Sequence, residues 1–234
     1  MTTFGMFVKA PEPGRVKTRL AASIGSVKAA GLYRAFLSDL IERFRRTGDR
    51  RVLAYSPNDD VTRDIFGQYS LDDYELWPQT DSDLGTRMLM FFEAFGPEPI
   101  VLIGSDSPTL PANFPTLAFN MLQHHDVVLG PATDGGLYLI GLNQQRRAWP
   151  IFEDIDWSTA RVLDQVMRRL IDLDARVETL PPWYDIDEPT DLAFLRGHLA
   201  ASSVSEFSKA SFDAPATRAA LEFLPPLDVL TGEC

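Results

Sequence analysis

A chain of 234 residues with 45% apolar content can bury one substantial core, and one domain followed by a tail is the simplest organisation, with two small lobes as the alternative. Its 22 Lys and Arg against 33 Asp and Glu leave a formal charge of −11 with no long basic patch, which excludes a broad nucleic-acid groove. The single cysteine is Cys234 and the three histidines lack ligand spacing, which excludes a disulfide framework and a Cys-based zinc site. The N-terminal run shows neither a signal-peptide pattern nor a membrane span, so the expected location is the cytoplasm.

Phe4 to Val8 reads as a first strand, followed by KAPEPGRVKTRLA, in which Pro11, Pro13 and Gly14 make a structured turn. Lys9, Arg15, Lys17 and Arg19 place four cations within eleven residues of an otherwise acidic protein. Such a loop can wrap a di- or triphosphate, with Gly14 allowing close backbone approach and the cations supplying charge-assisted donors. The plain alternative is a solvated basic turn. The loop matches neither GxxxxGK[ST] nor GxGxxG.

Ser26 to Arg46 has helical periodicity, with Val27, Ala30, Leu37, Leu40, Ile41 and Phe44 on one face and Gly48 as a stop. A covering helix and a subunit helix carry the same stripe, which leaves a homo-oligomer open. Arg51 to Tyr55 suggests a second strand, Val61 to Phe66 a short helix, and Tyr74 to Trp77 a third strand ending at Pro78. In the exit sequence QTDSDLGTRM, Gln79 can read a base or ribose with its amide and Gly85 permits close backbone approach. Arg87 points back toward phosphate or pairs with a nearby aspartate. The helix it begins continues through Met88, Leu89, Phe91, Phe92 and Phe95, an aromatic stripe expected in the core.

Ile100 to Gly104 is continuously apolar and reads as a central strand buried on both faces, shut off by Pro108. Asp106 sits just beyond its carboxyl end, where open α/β sheets hold ligands. A carboxylate there can carry a hard divalent metal, Mg2+ or Mn2+; alternatively Asp106 and Ser107 cap the turn.

Asn113 to Gln123 reads as a covering helix, Asp126 to Gly130 as a strand, and Leu137 to Leu142 as another. Between those strands, Gly135 and Gly136 could admit a ligand close to the backbone, and Asp134 could bind a sugar hydroxyl, an acceptor or a metal-bound water. A strand-connecting turn capped by Asp134 is the competing reading. Further on, Ser158 or Thr159 can cap a helix with Val162, Leu163, Val166 and Leu170 facing inward. Trp157 either closes a pocket or packs at the helix start. Arg176 to Leu180 is a late strand, and the helix from Thr190 to Leu199 follows PPWYDIDEPTDL. Asp187 could share a divalent ion with Asp106, or serve with Asp191 at the helix N-terminus. Composition changes near Ala200, which divides residues 1–199 from a 200–234 extension containing one short helix.

Taken in order, FVKAPEPGRVKTRL, QTDSDLGTRM, IGSDSPTL, GPATDGGLYLIGL, DWST and DIDEPTDL resemble a bacterial family of uncharacterised nucleotide-diphosphate-sugar transferase-like proteins (DUF2064-like) of the glycosyltransferase A superfamily. The likeness spans roughly Phe4 to Leu199. It implies an α/β, three-layer Rossmann-like fold with a mixed, mostly parallel central sheet. The chain also looks like molybdenum-cofactor and other small nucleotidyltransferases, with EPGRVKTR in place of their GxGxR-like form. The resemblance puts Asp106 at the metal-binding carboxylate and Asp187 as its partner, with Asp185 competing. It implies a nucleotide-sugar held by Lys9, Gly14, Arg15, Lys17 and Arg19 and transferred to a small-molecule acceptor, with catalytic roles for Asp106, Lys17 and, as acceptor-side base, Asp134. The alternatives are nucleotidyl transfer from a nucleoside triphosphate to a phosphorylated acceptor, or a non-catalytic nucleotide-binding module that regulates a partner through the extension.

Overall fold

The computed structural model describes residues 1–70, 73–143, 150–204 and 212–224. Its backbone contacts divide it into two compact units, one built from Met1–Val8, Arg45–Gly104 and Asn113–Tyr184, the other from Lys9–Phe44, Ser105–Ala112 and the described residues from Asp185 onward.

The first unit carries a seven-stranded sheet. Its strands are β1 (Thr3–Lys9), β2 (Arg50–Ser56), β3 (Glu75–Pro78), β4 (Ile100–Ile103), β5 (Val127–Pro131), β6 (Leu137–Leu142) and β7 (Val177–Thr179), in the order β3-β2-β1-β4-β6-β5-β7. β1 runs parallel to β4, β2 to β3 and β5 to β7, whereas β6 is antiparallel to both β4 and β5. The sheet is therefore mixed and mostly parallel, as the sequence resemblance implied. All four residues of β4 are buried, as a strand covered on both faces demands.

Helices α3 (Asp60–Ser70), α4 (Leu84–Ala94), α5 (Phe114–Met121) and α6 (Val162–Asp172) flank this sheet. The aromatic stripe of α4 is core: Phe91 and Phe92 are fully buried, and Phe91 meets Phe95 at 4.7 Å and Trp77 edge-on at 5.5 Å. Gly5 of β1 makes room for it, since a Cβ there would collide with the Phe91 ring. Val162, Val166 and Leu170 give α6 its inward face, at the one-turn spacing of an amphipathic helix.

The second unit is helical, with α1 (Thr18–Ile24), α2 (Ser26–Phe44), α7 (Pro189–Val204) and α8 (Pro215–Glu222). The KAPEPGRVKTRLA loop is shorter than expected, because α1 begins at Thr18 and buries Leu20 and Ile24 one turn apart. α7 runs through the composition change at Ala200. α8 packs on α2, where the buried Asp39 carboxylate accepts hydrogen bonds from the amides of Ala216 at 2.9 Å and Thr217 at 2.7 Å, two of the unpaired donors of a helix N-terminus. Arg43, on the same helix, donates to the carbonyls of Pro108 at 2.6 Å and Leu110 at 3.0 Å and so fixes the turn that follows Asp106. Among the described residues no helix is long and apolar enough to cross a membrane.

Candidate active site

Within the second unit, three chain segments converge on one ammonium group. Lys17 forms an ion pair with Asp106 and a 3.0 Å salt bridge with Asp187, and its side chain is 2% exposed while the two carboxylates are 44% and 43% exposed. Lys17 adopts a left-handed backbone (φ 48°, ψ 45°) immediately before α1, a conformation that a non-glycine residue holds only where its surroundings fix it. Here they do so through the two carboxylates and through the rings of Tyr33 and Phe36, whose centroids lie 5.8 and 5.7 Å from Nζ. Asp106 is three residues past the end of β4, and its carbonyl accepts from the Ile186 amide at 3.0 Å, which ties the Asp106 turn to the DID segment.

Burial alone lowers the pKa of the Lys17 ammonium, but the charges and hydrogen bonds of Asp106 and Asp187 outweigh it, and the net shift is upward. Lys17 is accordingly a cation at neutral pH. Tyr33 is pushed up to about 12, first by burial and then by the negative charge of Asp106, so its hydroxyl stays protonated. That hydroxyl lies 2.7 Å from Ser105 Oγ and accepts from the Lys9 amide at 3.2 Å.

The DID segment divides its work. Ser107 donates to Asp185, while Asp187 faces Lys17 and Asp191 accepts from the amides of Asp187 at 2.9 Å and Glu188 at 2.7 Å. Asp187 therefore shares a centre with Asp106, and Asp185 and Asp191 hold the loop that presents it. The donor set suits a hard divalent cation, because two half-exposed carboxylates point an oxygen at one place. Among the described residues no group of three or more Asp, Glu, His or Cys is arranged to hold a metal ion, so remaining ligands would come from phosphate and water, as Mg2+ accepts readily.

Around this centre the other loop candidates fall differently. Gly14 has φ +82° and nothing within 4 Å of where a Cβ would stand, leaving open room beside the loop backbone. Lys9 is exposed, Arg15 pairs with Glu12 at 3.3 Å, and Arg19 pairs with Glu188 at 3.6 Å, both pairs at the surface.

In the first unit, Gln79 is 3% exposed and acts as a tie: its amide donates to the carbonyls of Ala54 at 2.5 Å and Val8 at 3.5 Å, and its Oε1 accepts from Arg87 at 3.0 Å. Gln79 is thus buried and tied to protein partners, where the sequence reading offered its amide to a base or ribose. Arg87 is half-buried, its pKa is lowered by burial, and its Nε has no hydrogen-bond partner among the described residues.

Gly85 and Gly135 do permit close approach, but by protein atoms. A Cβ on Gly85 would lie 2.5 Å from Trp157 Nε1, and one on Gly135 would collide with the Ala160 carbonyl. The Gly136 amide donates to Asp134 Oδ1 at 2.8 Å, the geometry of a self-capped turn. The glycines were expected to admit ligand; the structure fills the space at Gly85 and Gly135 with the segment around Trp157, which packs at the start of the following helix.

Tyr33, Phe36, Ser105 and Ser107 carry no sequence signal of a site. Tyr33 and Phe36 lie on the apolar side of a helix and read as core; the serines are visible only as neighbours of Asp106.

The model of a family of uncharacterised proteins conserved in bacteria, DUF2064, matches residues 40–159. The chain belongs to this family. A solved structure from Desulfovibrio desulfuricans G20, provisionally assigned as a nucleotide-diphospho-sugar transferase, is 34% identical over 94% of each chain, with a TM-score of 0.84. A cytidylyltransferase from Leptospira borgpetersenii serovar Hardjo-bovis is similar at a TM-score of 0.58 and 13% identity, over 94% of this chain and 92% of the other. The 4-diphosphocytidyl-2C-methyl-D-erythritol synthase of Anaerococcus prevotii aligns over 85% of this chain and 96% of its own, with a TM-score of 0.56 and 10% identity. The latter two likenesses establish the fold alone. No curated protein matches the chain in sequence.

Proposed function

We propose that this DUF2064 chain is a divalent-metal-dependent transferase acting on a nucleotide-activated donor, with a nucleotide-sugar as the donor and a small molecule as the acceptor. The convergence of Asp106, Asp187 and Lys17 carries the reading, because it joins two candidate metal ligands to a buried ammonium in one unit. Such a centre suits a departing nucleoside diphosphate, whose developing charge needs cations held in place beforehand. Asp106 and Asp187 would hold Mg2+ or Mn2+, which when bound supplies charge neutralisation at the phosphates. Lys17 would add a buried ammonium, and the open backbone at Gly14 room for the diphosphate. The name given to the D. desulfuricans relative supports the same choice of donor.

The second reading, nucleotidyl transfer from a triphosphate, is favoured by the same ammonium, which suits an α-phosphate under attack as well as a departing diphosphate. Calorimetric titration with nucleoside triphosphates, diphosphates and nucleotide-sugars, each with Mg2+ and with Mn2+, separates the two. Tighter binding of one nucleotide-sugar than of its matching nucleotide supports glycosyl transfer, and preference for a triphosphate supports nucleotidyl transfer. Asp106→Ala is expected to abolish the metal-dependent part of binding; unchanged titrations in that variant would remove the assignment.

A further inference from the structure

We propose that the Lys17 ammonium is a resident counter-ion of the Asp106–Asp187 pair that a divalent cation must displace, so that metal binds weakly alone and tightly once a phosphate-bearing ligand takes over the ammonium. This rests on the metal-dependent reading above and adds to it an order of events and a residue that enforces it.

Lys17 meets one oxygen of each carboxylate, and those are the two groups to which metal binding is assigned. A cation already bridges the pair, so an incoming divalent ion meets neutralised carboxylates and a like charge a few ångströms away. The ammonium is buried, and its aromatic side is walled by Tyr33 and Phe36, the former fixed by Ser105. Movement in that direction is blocked. The way open to it is past the half-exposed carboxylates, toward solvent. A di- or triphosphate arriving from that side offers oxygens that replace both aspartates as partners of the ammonium. Once Lys17 has changed partners, Asp106 and Asp187 are free to ligate the metal, which also binds the phosphate. Metal and phosphate thereby raise one another's affinity by the same factor, as linkage requires.

The test is Mn2+ binding followed by electron paramagnetic resonance of the free ion, in the unsubstituted 234-residue chain and in Lys17→Met, with and without inorganic pyrophosphate, after correction for Mn2+–pyrophosphate complexation. Lys17→Met is expected to bind Mn2+ alone at least tenfold more tightly than the unsubstituted protein. It is also expected to lose most of the gain that pyrophosphate confers. Equal or weaker Mn2+ binding by Lys17→Met overturns the proposal and makes Lys17 a group that orients the carboxylates. Lys17→Gln, which keeps donors without the charge, carries the same comparison should the methionine variant fail to fold. Asp106→Ala separates the two levels: Mn2+ binding unaffected by that change rejects the metal assignment itself, whereas binding lost in Asp106→Ala but unaltered in both Lys17 variants rejects only the counter-ion role.

Discussion

Asp185 and Asp187 stand two residues apart and serve different partners: Asp185 accepts from the Ser107 hydroxyl, and Asp187 meets the Lys17 ammonium at 3.0 Å. Ile186 between them is fully buried and its amide donates to the Asp106 carbonyl at 3.0 Å, so the segment is anchored at its middle while the two carboxylates reach different partners. Asp187→Ala should therefore reduce metal-dependent nucleotide binding by at least tenfold. Asp185→Ala should leave it within a few-fold and instead lower stability by about 1–2 kcal/mol, the scale of a partly exposed hydrogen bond to a charged group. Calorimetry and urea unfolding on the two variants check this, and equal losses of binding in both would contradict the division of labour.

Alkaline pH should act on the same centre. Lys17 has an ordinary value of 10.5 and is raised in the folded protein, so its contribution is complete below pH 10.5 and is lost as pH climbs through the higher folded value. Tyr33 behaves in the same direction for a different reason: the unfolded phenol ionises from its ordinary 10.0, the folded one only near 12, and stability falls between them. Each group alone gives a slope of roughly 1.4 kcal/mol per pH unit within its window. Tyr33→Phe should flatten the decline between pH 10 and 12, measured by urea unfolding across that range. Identical slopes with and without the phenol would show that Tyr33 titrates normally.

The sheet was legible because its strands are short apolar runs bounded by turn residues. β6 falls at Leu137–Leu142 as its pattern requires, and the fully buried β4 follows from a run with no polar alternation. α1 was not legible: its stretch TRLAASI buries only Leu20 and Ile24, too few to set a period, and adjoins a loop rich in Pro and Gly. Asp106 was visible from its place after a central strand, but its link to Lys17, 89 positions away, depends on tertiary pairing that no local pattern encodes. For the same reason the sequence marks Gly85 and Gly135 as points of close approach without saying what approaches.

Gly85→Ala should be felt at Trp157. The added Cβ would lie 2.5 Å from the indole Nε1 and 2.9 Å from the Phe152 carbonyl, and the second contact is backbone that cannot swing aside. Overpacking of this kind costs about 1–3 kcal/mol. Near-ultraviolet circular dichroism should change with the displaced indole, and the melting temperature should drop. A variant with the original spectrum and stability would mean that Trp157 does not occupy the space beside Gly85.

The last prediction concerns the C-terminal extension. Asp39 is 7% exposed on α2 and reaches across to two amides at the start of α8, at 2.9 and 2.7 Å, so a carboxylate on one helix caps another 177 positions later in the chain. The neighbouring Ala214 is fully buried, which gives the same junction an apolar contact. Asp39→Ala removes the cap and leaves two buried or half-buried donors without a partner, a loss of about 1–2 kcal/mol. Because the cap serves the first turn of α8, the loss should appear first as faster hydrogen exchange in residues 215–222. Asp39→Asn keeps an acceptor oxygen and should restore most of the protection. If exchange in 215–222 stays slow in Asp39→Ala while the whole protein melts earlier, the carboxylate supports α2 itself and α8 is held by its other contacts, among them the hydrogen bonds of Arg196 to the Leu221 carbonyl and of Arg218 to the Leu199 carbonyl.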